Sequence, residues 1–245
     1  MSVPRFLVPS AAMRGSSCVL AGETFRHLRA RRLRVGSRLV LTDGVGTARD
    51  GVVAQVDRRQ AVVNLSPAVA ETRESPLHLV LAQGILKRDK LDLVVEKATE
   101  LGVHEILFFT SERTVGRVAS ERQARWTRVA RSAAEQSQRT TVPDVRGPLP
   151  LEQVLAYRTT ALRLFFWEGT STSSLLAARA RCSDTSDMLV VVGPEGGFSA
   201  DEARRAADAG FDVVGLSRRI LRAETAAMVA VTLAQFLWGD LASQT

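Results

Sequence analysis

A glycine-rich turn between a predicted strand and a predicted helix is the part of the sequence best suited to bind a ligand. The apolar run Met188–Val192 predicts a strand buried on both faces. The turn that follows it consists of Gly193, Pro194, Glu195, Gly196 and Gly197, and glycines let a ligand approach bare backbone. Ser199 and Glu202 then form the pattern of a capping box that opens a helix. We expect a ligand here; the alternative is a tight strand-to-helix turn that binds nothing.

A second, basic loop follows one helix and one strand later. The run Asp212–Leu216 predicts another buried strand, and the loop after it carries Arg218, Arg219 and Arg222 before Glu224 begins the last helix. The carboxyl ends of parallel strands meet at one edge of a sheet, so both loops are expected side by side. A Rossmann oxidoreductase is disfavoured, because it requires a GxGxxG motif and an acidic residue about 20 positions later.

Composition excludes several classes of protein. No apolar run reaches the ~18 residues of a membrane helix, and residues 1–10 lack the long apolar segment of a signal peptide. Cys18 and Cys182 are far apart and are predicted to be reduced thiols. The three histidines are scattered and show no metal spacing: His27, His78 and His104. We expect a cytoplasmic protein that binds neither membrane nor metal.

The net charge of +7 is concentrated at the N-terminus. Residues 1–75 contain twelve arginines and six acidic residues, whereas residues 76–245 are nearly balanced. Short strand patterns predict a small β-barrel domain over residues 1–70, with an antiparallel sheet because the connections are too short for helical crossovers. A short helix is predicted over Glu23–Leu33, with Phe25 and Leu28 facing inward. Its other faces would carry the candidate RNA-binding residues Arg26, Arg29, Arg31, Arg32 and Arg34. Guanidinium groups match phosphates, so we expect a nucleic-acid partner; an arginine-rich surface that is merely solvated is the alternative.

Residues 76–245 are predicted to form an open, mostly parallel α/β domain. Strand patterns and amphipathic helices alternate along this part of the chain. Five strands and about six helices are expected, while Val142–Val145 is predicted to be a connector. The strands are predicted at Leu77–Ala82, Glu105–Thr110, Leu162–Trp167, Met188–Val192 and Asp212–Leu216.

Several motifs in this second part resemble those of the SPOUT-class methyltransferases that methylate N3 of a uridine in 16S ribosomal RNA. They are Gln83-Gly84 with Lys87 to Lys90, Glu96 to Gly102, Ser111 to Arg113, Glu135 to Arg139, Val192 to Ser199, and Arg219 to Ala226. Their order and spacing fit the family. Residues Val35 to Leu39 with Asp43 and Gly44 resemble its PUA-like barrel more weakly. The chain departs from the family pattern at Ser217 and Arg218.

The resemblance implies a fold, a cofactor and partners. It implies a C-terminal trefoil knot, a homodimer, and 16S ribosomal RNA or the small ribosomal subunit as the partner. It also implies S-adenosylmethionine as the cofactor, bound by three loops. The cofactor-binding residues would be Trp167, Glu168, Gly169, Gly193, Pro194, Glu195, Gly196, Gly197, Leu216, Ile220 and Leu221.

Methylation of uridine N3 also calls for catalytic groups in the protein. Because N3 carries a proton, the reaction needs a base and a cation that stabilises the charge on the flanking oxygens. Arg219 and Arg222 suit the cationic role, and Glu224 is a possible base, although pairing with Arg222 is an equal alternative. Arg139 or Glu135, reaching across a dimer, is the second choice. The competing function is a noncatalytic RNA-binding module with a degenerate cofactor pocket.

Overall fold

The chain divides into two compact units. The computed structural model describes residues 3–69, 73–87, 89–115, 122–157, 162–169 and 173–242. One unit comprises Met1–Glu74 and Ala134–Val142, and the other comprises Ser75–Ala133 and Pro143–Thr245. The sequence pattern does not indicate that Ala134–Val142 returns to the first unit.

The first unit is built on a curled five-stranded sheet of order β1-β3-β4-β5-β2. Its strands are β1 (Arg5–Leu7), β2 (Ser17–Ala21), β3 (Arg38–Thr42), β4 (Ala48–Val56) and β5 (Gln60–Val69). A 3-10 helix (Ser10–Met13) and helix α1 (Gly22–Ala30) lie between β1 and β3 in sequence. The prediction of a purely antiparallel sheet was wrong for one pair, since β1 and β3 run parallel. The segment with the 3-10 helix, β2 and α1 is long enough to serve as the crossover that parallel strands require.

Alternating residues of these strands form the core of the first unit. Phe6, Leu20, Leu39, Leu41 and Val63 are almost completely buried in one cluster. Helix α1 adds Phe25 and Leu28 to the same cluster. The predicted inward face of this helix is thereby confirmed, and its arginines are left at the surface.

The second unit is an open α/β structure with a six-stranded, wholly parallel sheet of order β11-β9-β10-β6-β7-β8. The strands are β6 (His78–Gly84), β7 (Glu105–Thr110), β8 (Asp144–Pro150), β9 (Leu162–Phe166), β10 (Asp187–Val192) and β11 (Asp212–Val214). The helices are α2 (Asp89–Glu100), α3 (Arg122–Ser137), α4 (Leu151–Leu155), α5 (Leu175–Arg181), α6 (Ala200–Asp208) and α7 (Ala223–Trp238). The predicted fold class is confirmed; the trefoil knot stays a prediction.

Helices contact both faces of this sheet. Helix α7 contacts β6, β10 and α2, whereas α4 contacts β7 and β8. Val80, Leu107, Phe165 and Val191 belong to one core cluster with residues of α4 and α6. Burial on both faces explains the continuous apolar runs that made these strands recognisable in the sequence.

The sixth strand, β8, corrects the prediction of a connector at Val142–Val145. It pairs parallel with β7 at the edge of the sheet, with a register shift between Leu107 and Phe109. Pro148 and Pro150 have no N–H to donate, and an edge strand tolerates this because one of its sides needs no partner. The prolines hid the strand pattern.

Candidate active site

Three loops that follow neighbouring strands line one cavity in the second unit. Because β9, β10 and β11 are parallel neighbours, the segments after Phe166, Val192 and Val214 leave the sheet at the same edge. The cavity measures about 410 Å³, within the ~300–1,000 Å³ typical of small-molecule sites. All the predicted cofactor-binding residues line it except Gly169, and Arg219 and Arg222 line it as well.

The glycine turn rests on the end of β6. The Gly197 amide donates to the Pro194 carbonyl oxygen at 2.9 Å, and Gly197 adopts a φ of +66°, which favours glycine. Gln83 is fully buried, and its Nε2 donates to the carbonyl oxygens of Gly84 at 2.9 Å and Gly193 at 3.0 Å. A Cβ on Gly84 would lie 2.4 Å from the Pro194 nitrogen, so only glycine lets the turn come this close.

The helix after the turn begins with the predicted capping box. The Glu202 amide donates to Ser199 Oγ at 3.2 Å, and the Ser199 amide donates to Glu202 Oε2 at 2.9 Å. Glu202 is buried, and its other oxygen, Oε1, accepts from the Glu112 amide at 2.9 Å. The same carboxylate therefore holds the start of α6 and the loop that follows β7.

Trp167 forms the wall of the cavity on the β9 side. Its indole Nε1 donates to the Phe198 carbonyl oxygen at 3.2 Å, and its backbone amide donates to the Val214 carbonyl oxygen at 3.0 Å. Gly169 does not line the cavity. A Cβ at this position would lie 2.4 Å from the Trp167 ring. Gly169 therefore allows the backbone to pass close to this side chain.

The third loop exposes its side chains. Ile220 is 88% exposed, and Arg219 and Arg222 are also at the surface. The Arg219 amide donates to Ser217 Oγ at 2.9 Å. Ser217 replaces the residue expected from the family pattern without strain, since among the described residues only Arg32 and Gln138 combine a side chain with positive φ.

Glu224 pairs with a residue that the sequence analysis did not select. Its Oε2 lies 3.3 Å from Lys90 Nζ, and the same ammonium is 2.8 Å from Glu195 Oε1. No ion pair joins Glu224 to Arg222 in the part of the chain that the structure describes. The signal for Lys90 in the sequence is its place in the stretch from Lys87 to Lys90, one of the motifs that resemble the family.

Arg139 makes structural contacts within the first unit. Its side chain is 3% exposed, and Nε and Nη2 donate to Glu74 Oε2 at 2.9 and 2.6 Å. Glu135 Oε1 accepts from the Leu7 amide at 3.1 Å. Neither Arg139 nor Glu135 lines the cavity, and a catalytic role for either of them across a dimer stays a prediction.

The predicted RNA-binding arginines lie together on the first unit. Arg26 and Arg29 belong to α1, and all five predicted residues are exposed. Arg32 has a φ of +56°, directly after the helix. The Arg31 guanidinium carbon is 5.9 Å from the centre of the Phe6 ring. The first unit thus presents a cluster of guanidinium groups that could meet phosphates.

The described residues offer no group of metal-binding side chains and no helix long and apolar enough to cross a membrane. Both cysteines are free thiols. Burial raises the pKa of the Cys18 thiol above its ordinary value.

Comparison with known proteins places the chain in a family. Residues 73–235 match the family model of an RNA methyltransferase domain, and residues 20–66 match that of an RNA methyltransferase PUA domain. A ribosomal RNA small subunit methyltransferase E from Mycobacterium tuberculosis is 32% identical over 244 residues, which cover 92% of this chain and 88% of that protein. The chain belongs to the small-subunit ribosomal RNA methyltransferase E family. The resemblance to this SPOUT-class family is confirmed.

Other known proteins are similar over most of the chain. The Bacillus subtilis protein is 30% identical over 223 residues, covering 87% of either chain. A crystal structure of the Neisseria gonorrhoeae enzyme bound to S-adenosyl methionine has a TM-score of 0.89 and 34% identity, covering 98% of this chain and 100% of that one. A Legionella pneumophila structure with bound S-adenosylmethionine has a TM-score of 0.87 and 30% identity, with the same coverage.

Proposed function

We propose that this methyltransferase transfers a methyl group from S-adenosylmethionine to N3 of a specific uridine in 16S ribosomal RNA. The observation that carries the proposal is the meeting of three loops around one cavity, with Arg219 and Arg222 of the third loop in its lining. The names of the relatives support ribosomal RNA of the small subunit as the substrate, and the N3 specificity is the part that the resemblance adds. Cytoplasmic action follows from that substrate.

The cavity suits S-adenosylmethionine chemically. It combines apolar side chains such as Phe166, Val192 and Leu221 with the backbone of the glycine turn and with charges of both signs. An adenosine needs apolar surface and backbone hydrogen bonds, whereas an amino-acid group carries both an ammonium and a carboxylate. When bound, the cofactor supplies a methyl group on a positively charged sulfur, which is a good leaving group.

The chain's own contribution is to position the reactants and to stabilise charge. Loss of the N3 proton to solvent water leaves a negative charge that spreads over the two flanking carbonyl oxygens of uracil. Arg219 and Arg222 would hold this charge, which favours the deprotonated and nucleophilic form of the base. Both side chains extend from the same short loop and line the cavity, so two cations lie beside the place where this charge develops.

Glu224 suits an anchoring role better than that of a base. Its side chain is 13% exposed, lies outside the cavity lining, and pairs with Lys90. The contacts of Arg139 with Glu74 likewise favour a structural role.

The first unit would supply the grip on RNA. A uridine within folded RNA must leave its stack to reach a cavity of this kind, and contacts to the neighbouring phosphates offset that cost. The exposed arginines of α1 and of the segment after it provide such contacts without reading sequence.

We also propose a homodimer. Helix α7 is apolar around most of its circumference, and Phe236 on its outer side is 54% exposed. An exposed aromatic ring on an apolar helix favours a protein partner. In light scattering after gel filtration, the protein should have the mass of a dimer, and Phe236→Glu should shift it toward monomer. A wild-type protein with the mass of a monomer would refute this part.

Cofactor binding is the first test. Titration calorimetry with S-adenosylmethionine should show saturable binding to the wild type and a loss of it in Gly196→Val, because even a Cβ at Gly196 would lie 2.8 Å from the Arg113 carbonyl oxygen. Gly15→Val is the control, since a Cβ at Gly15 meets only ordinary contacts, at 3.5 Å or more. RNA binding without cofactor binding would instead identify a noncatalytic module.

Catalysis is tested with the three neighbouring arginines of the third loop. With small ribosomal subunits as substrate, mass spectrometry of nucleosides should detect N3-methyluridine. Arg219→Ala and Arg222→Ala should each lower kcat by about 10²-fold, as loss of a charge-stabilising donor does. Arg218→Ala should not, because Arg218 is exposed but does not line the cavity. Equal rates in all three variants would refute the assigned roles.

A further inference from the structure

The side chain of Lys90 joins two of the segments that form the cavity. It lies in the first turn of α2 and lines the cavity itself. Its Nζ is 2.8 Å from Oε1 of Glu195 in the glycine turn and 3.3 Å from Oε2 of Glu224 at the start of α7. One ammonium therefore connects the loop after β10 with the helix that begins where the third loop ends.

The cluster places one cation between two carboxylates. Oε2 of Glu224 is shielded from solvent, so its charge needs a nearby cation. The hydrogen bond to Glu195, with further contributions from hydrogen bonding and charge of Glu224, raises the pKa of Lys90 above its ordinary value. Lys90 is therefore charged at neutral pH. Without it, two carboxylates would face each other at short range and repel.

Lys97, a second lysine of the same helix, also pairs with two glutamates but connects no other segment among the described residues. Lys97 Nζ is 2.7 Å from Glu96 Oε1 and 2.9 Å from Glu100 Oε1, and its side chain is 39% exposed, compared with 34% for Lys90. Both partners of Lys97 lie on α2 itself. Lys97 thus has the same residue type, the same helix and two glutamate partners, but it joins no other segment.

We propose that Lys90 is a positioning residue of the active site, whose ammonium fixes the distance between the glycine turn and the start of α7. The proposal rests on the function proposed above, in which the cofactor is held by the glycine turn and by the third loop, which leads into α7. If Lys90 is lost, Glu195 and Glu224 separate, and the turn and the third loop move with them. The affinity for the cofactor then falls, while the contacts of the first unit with RNA do not change.

The first experiment needs no cofactor. Hydrogen exchange of the free protein, followed by mass spectrometry, compares Lys90→Met with Lys97→Met. We expect Lys90→Met to speed the exchange of peptides that cover residues 193–199 and 216–224, while peptides from β6 and β10 keep wild-type rates. Lys97→Met should match the wild type throughout the two loops. Equal exchange of both loops in the two variants would overturn the proposal.

The second experiment measures cofactor affinity and KM. Lys90→Met should weaken binding of S-adenosylmethionine by about fivefold or more, the usual range for coupled sites, with an unchanged affinity for RNA. Lys90→Arg keeps the charge and should restore most of the affinity, and Lys97→Met should have none of this effect. In Lys90→Met/Glu195→Gln the losses should be less than additive, because both changes break one interaction.

The outcomes separate the two proposals. A wild type that binds no S-adenosylmethionine refutes the proposed function, and hydrogen exchange then decides the role of Lys90 alone. A wild type that binds the cofactor, with Lys90→Met binding as tightly as Lys97→Met, overturns the role of Lys90 and leaves the proposed function intact. Additive losses in the double variant would also overturn it.

Discussion

Gly84→Ala tests whether the glycine turn is positioned by the strand beneath it. An added Cβ would lie 2.4 Å from the Pro194 nitrogen, 2.6 Å from its Cδ and 2.8 Å from the Gly193 carbonyl carbon. An ordinary contact begins at 3.4 Å, so the turn must move away from β6 by about 1 Å. Gly84 itself does not line the cavity. Any effect on the cofactor must therefore pass through the turn.

We expect Gly84→Ala to lower kcat/KM for the cofactor strongly and the stability of the fold only slightly. Overpacking of this kind costs about 1–3 kcal/mol, and 1 kcal/mol lowers the Tm of a domain of this size by about 2–4 °C. A displacement of about 1 Å in a positioned group can lower kcat/KM by up to about 10²-fold. We therefore expect a folded protein with a slightly lower Tm and a 10- to 100-fold loss, approximately, in kcat/KM for S-adenosylmethionine.

Calorimetry, steady-state kinetics and thermal melting of Gly84→Ala and Gly15→Ala provide the measurement. Gly15 meets only ordinary contacts, so Gly15→Ala should match the wild type in all three. If Gly84→Ala binds the cofactor as tightly as Gly15→Ala does, the turn does not depend on the close approach of Gly84 and Pro194, and the reasoning is refuted.

Three further changes test other contacts. Burial alone would raise the pKa of Glu74, but the hydrogen bond and charge of Arg139 and two backbone amides lower it below its ordinary value. The ionised Glu74 therefore stabilises the fold fully above the pKa it has in the unfolded chain, and this stabilisation is lost as the pH falls through its lower pKa in the folded protein. Glu74→Gln should cost about 2 kcal/mol at neutral pH, the range for hydrogen bonds to a charged group, and should flatten the decline of Tm on acidification. An unchanged pH profile would contradict this. Glu202→Ala leaves the amides of Ser199 and Glu112 without their carboxylate and should cost about 2 kcal/mol in urea unfolding; a cost near zero would count against the capping box. Trp167→Phe removes one hydrogen bond at the cavity wall and should cost about 1 kcal/mol and raise the KM for the cofactor, with an unchanged KM as the contrary result.

The sequence allowed much of the second unit to be predicted, because its strands are buried on both faces. The predicted strand Met188–Val192 begins one residue earlier in the structure and ends at the same residue. The predicted capping box of Ser199 and Glu202 is present with both of its hydrogen bonds. Local patterns of this kind depend on neighbouring residues alone. The edge strand β8 escaped prediction, because its prolines are tolerated only at a sheet edge and the edge position is a property of the whole fold.

Contacts between distant segments could not be predicted. The pairing of Lys90 with Glu195 and Glu224 depends on how α2, the glycine turn and α7 meet, and a single sequence does not contain that information. Arg139 is a second example of a contact that the sequence does not reveal. Its place in a polar stretch suggested chemistry, whereas its guanidinium is buried against Glu74. Residue type indicates what a side chain can do, but its partners decide its role.

The first unit is built from two separate stretches of the chain, and this affects how it folds during synthesis. The Glu74 carboxylate accepts hydrogen bonds from Arg139, Thr140 and Thr141, and Ala134–Val142 belongs to the same unit as residues 1–74. A ribosome making this chain has therefore completed the first five strands long before it makes the segment that finishes their unit. Until residue 142 emerges, the nascent chain carries an unfinished N-terminal unit, and a protein truncated after residue 75 would lack the partners of its last carboxylate.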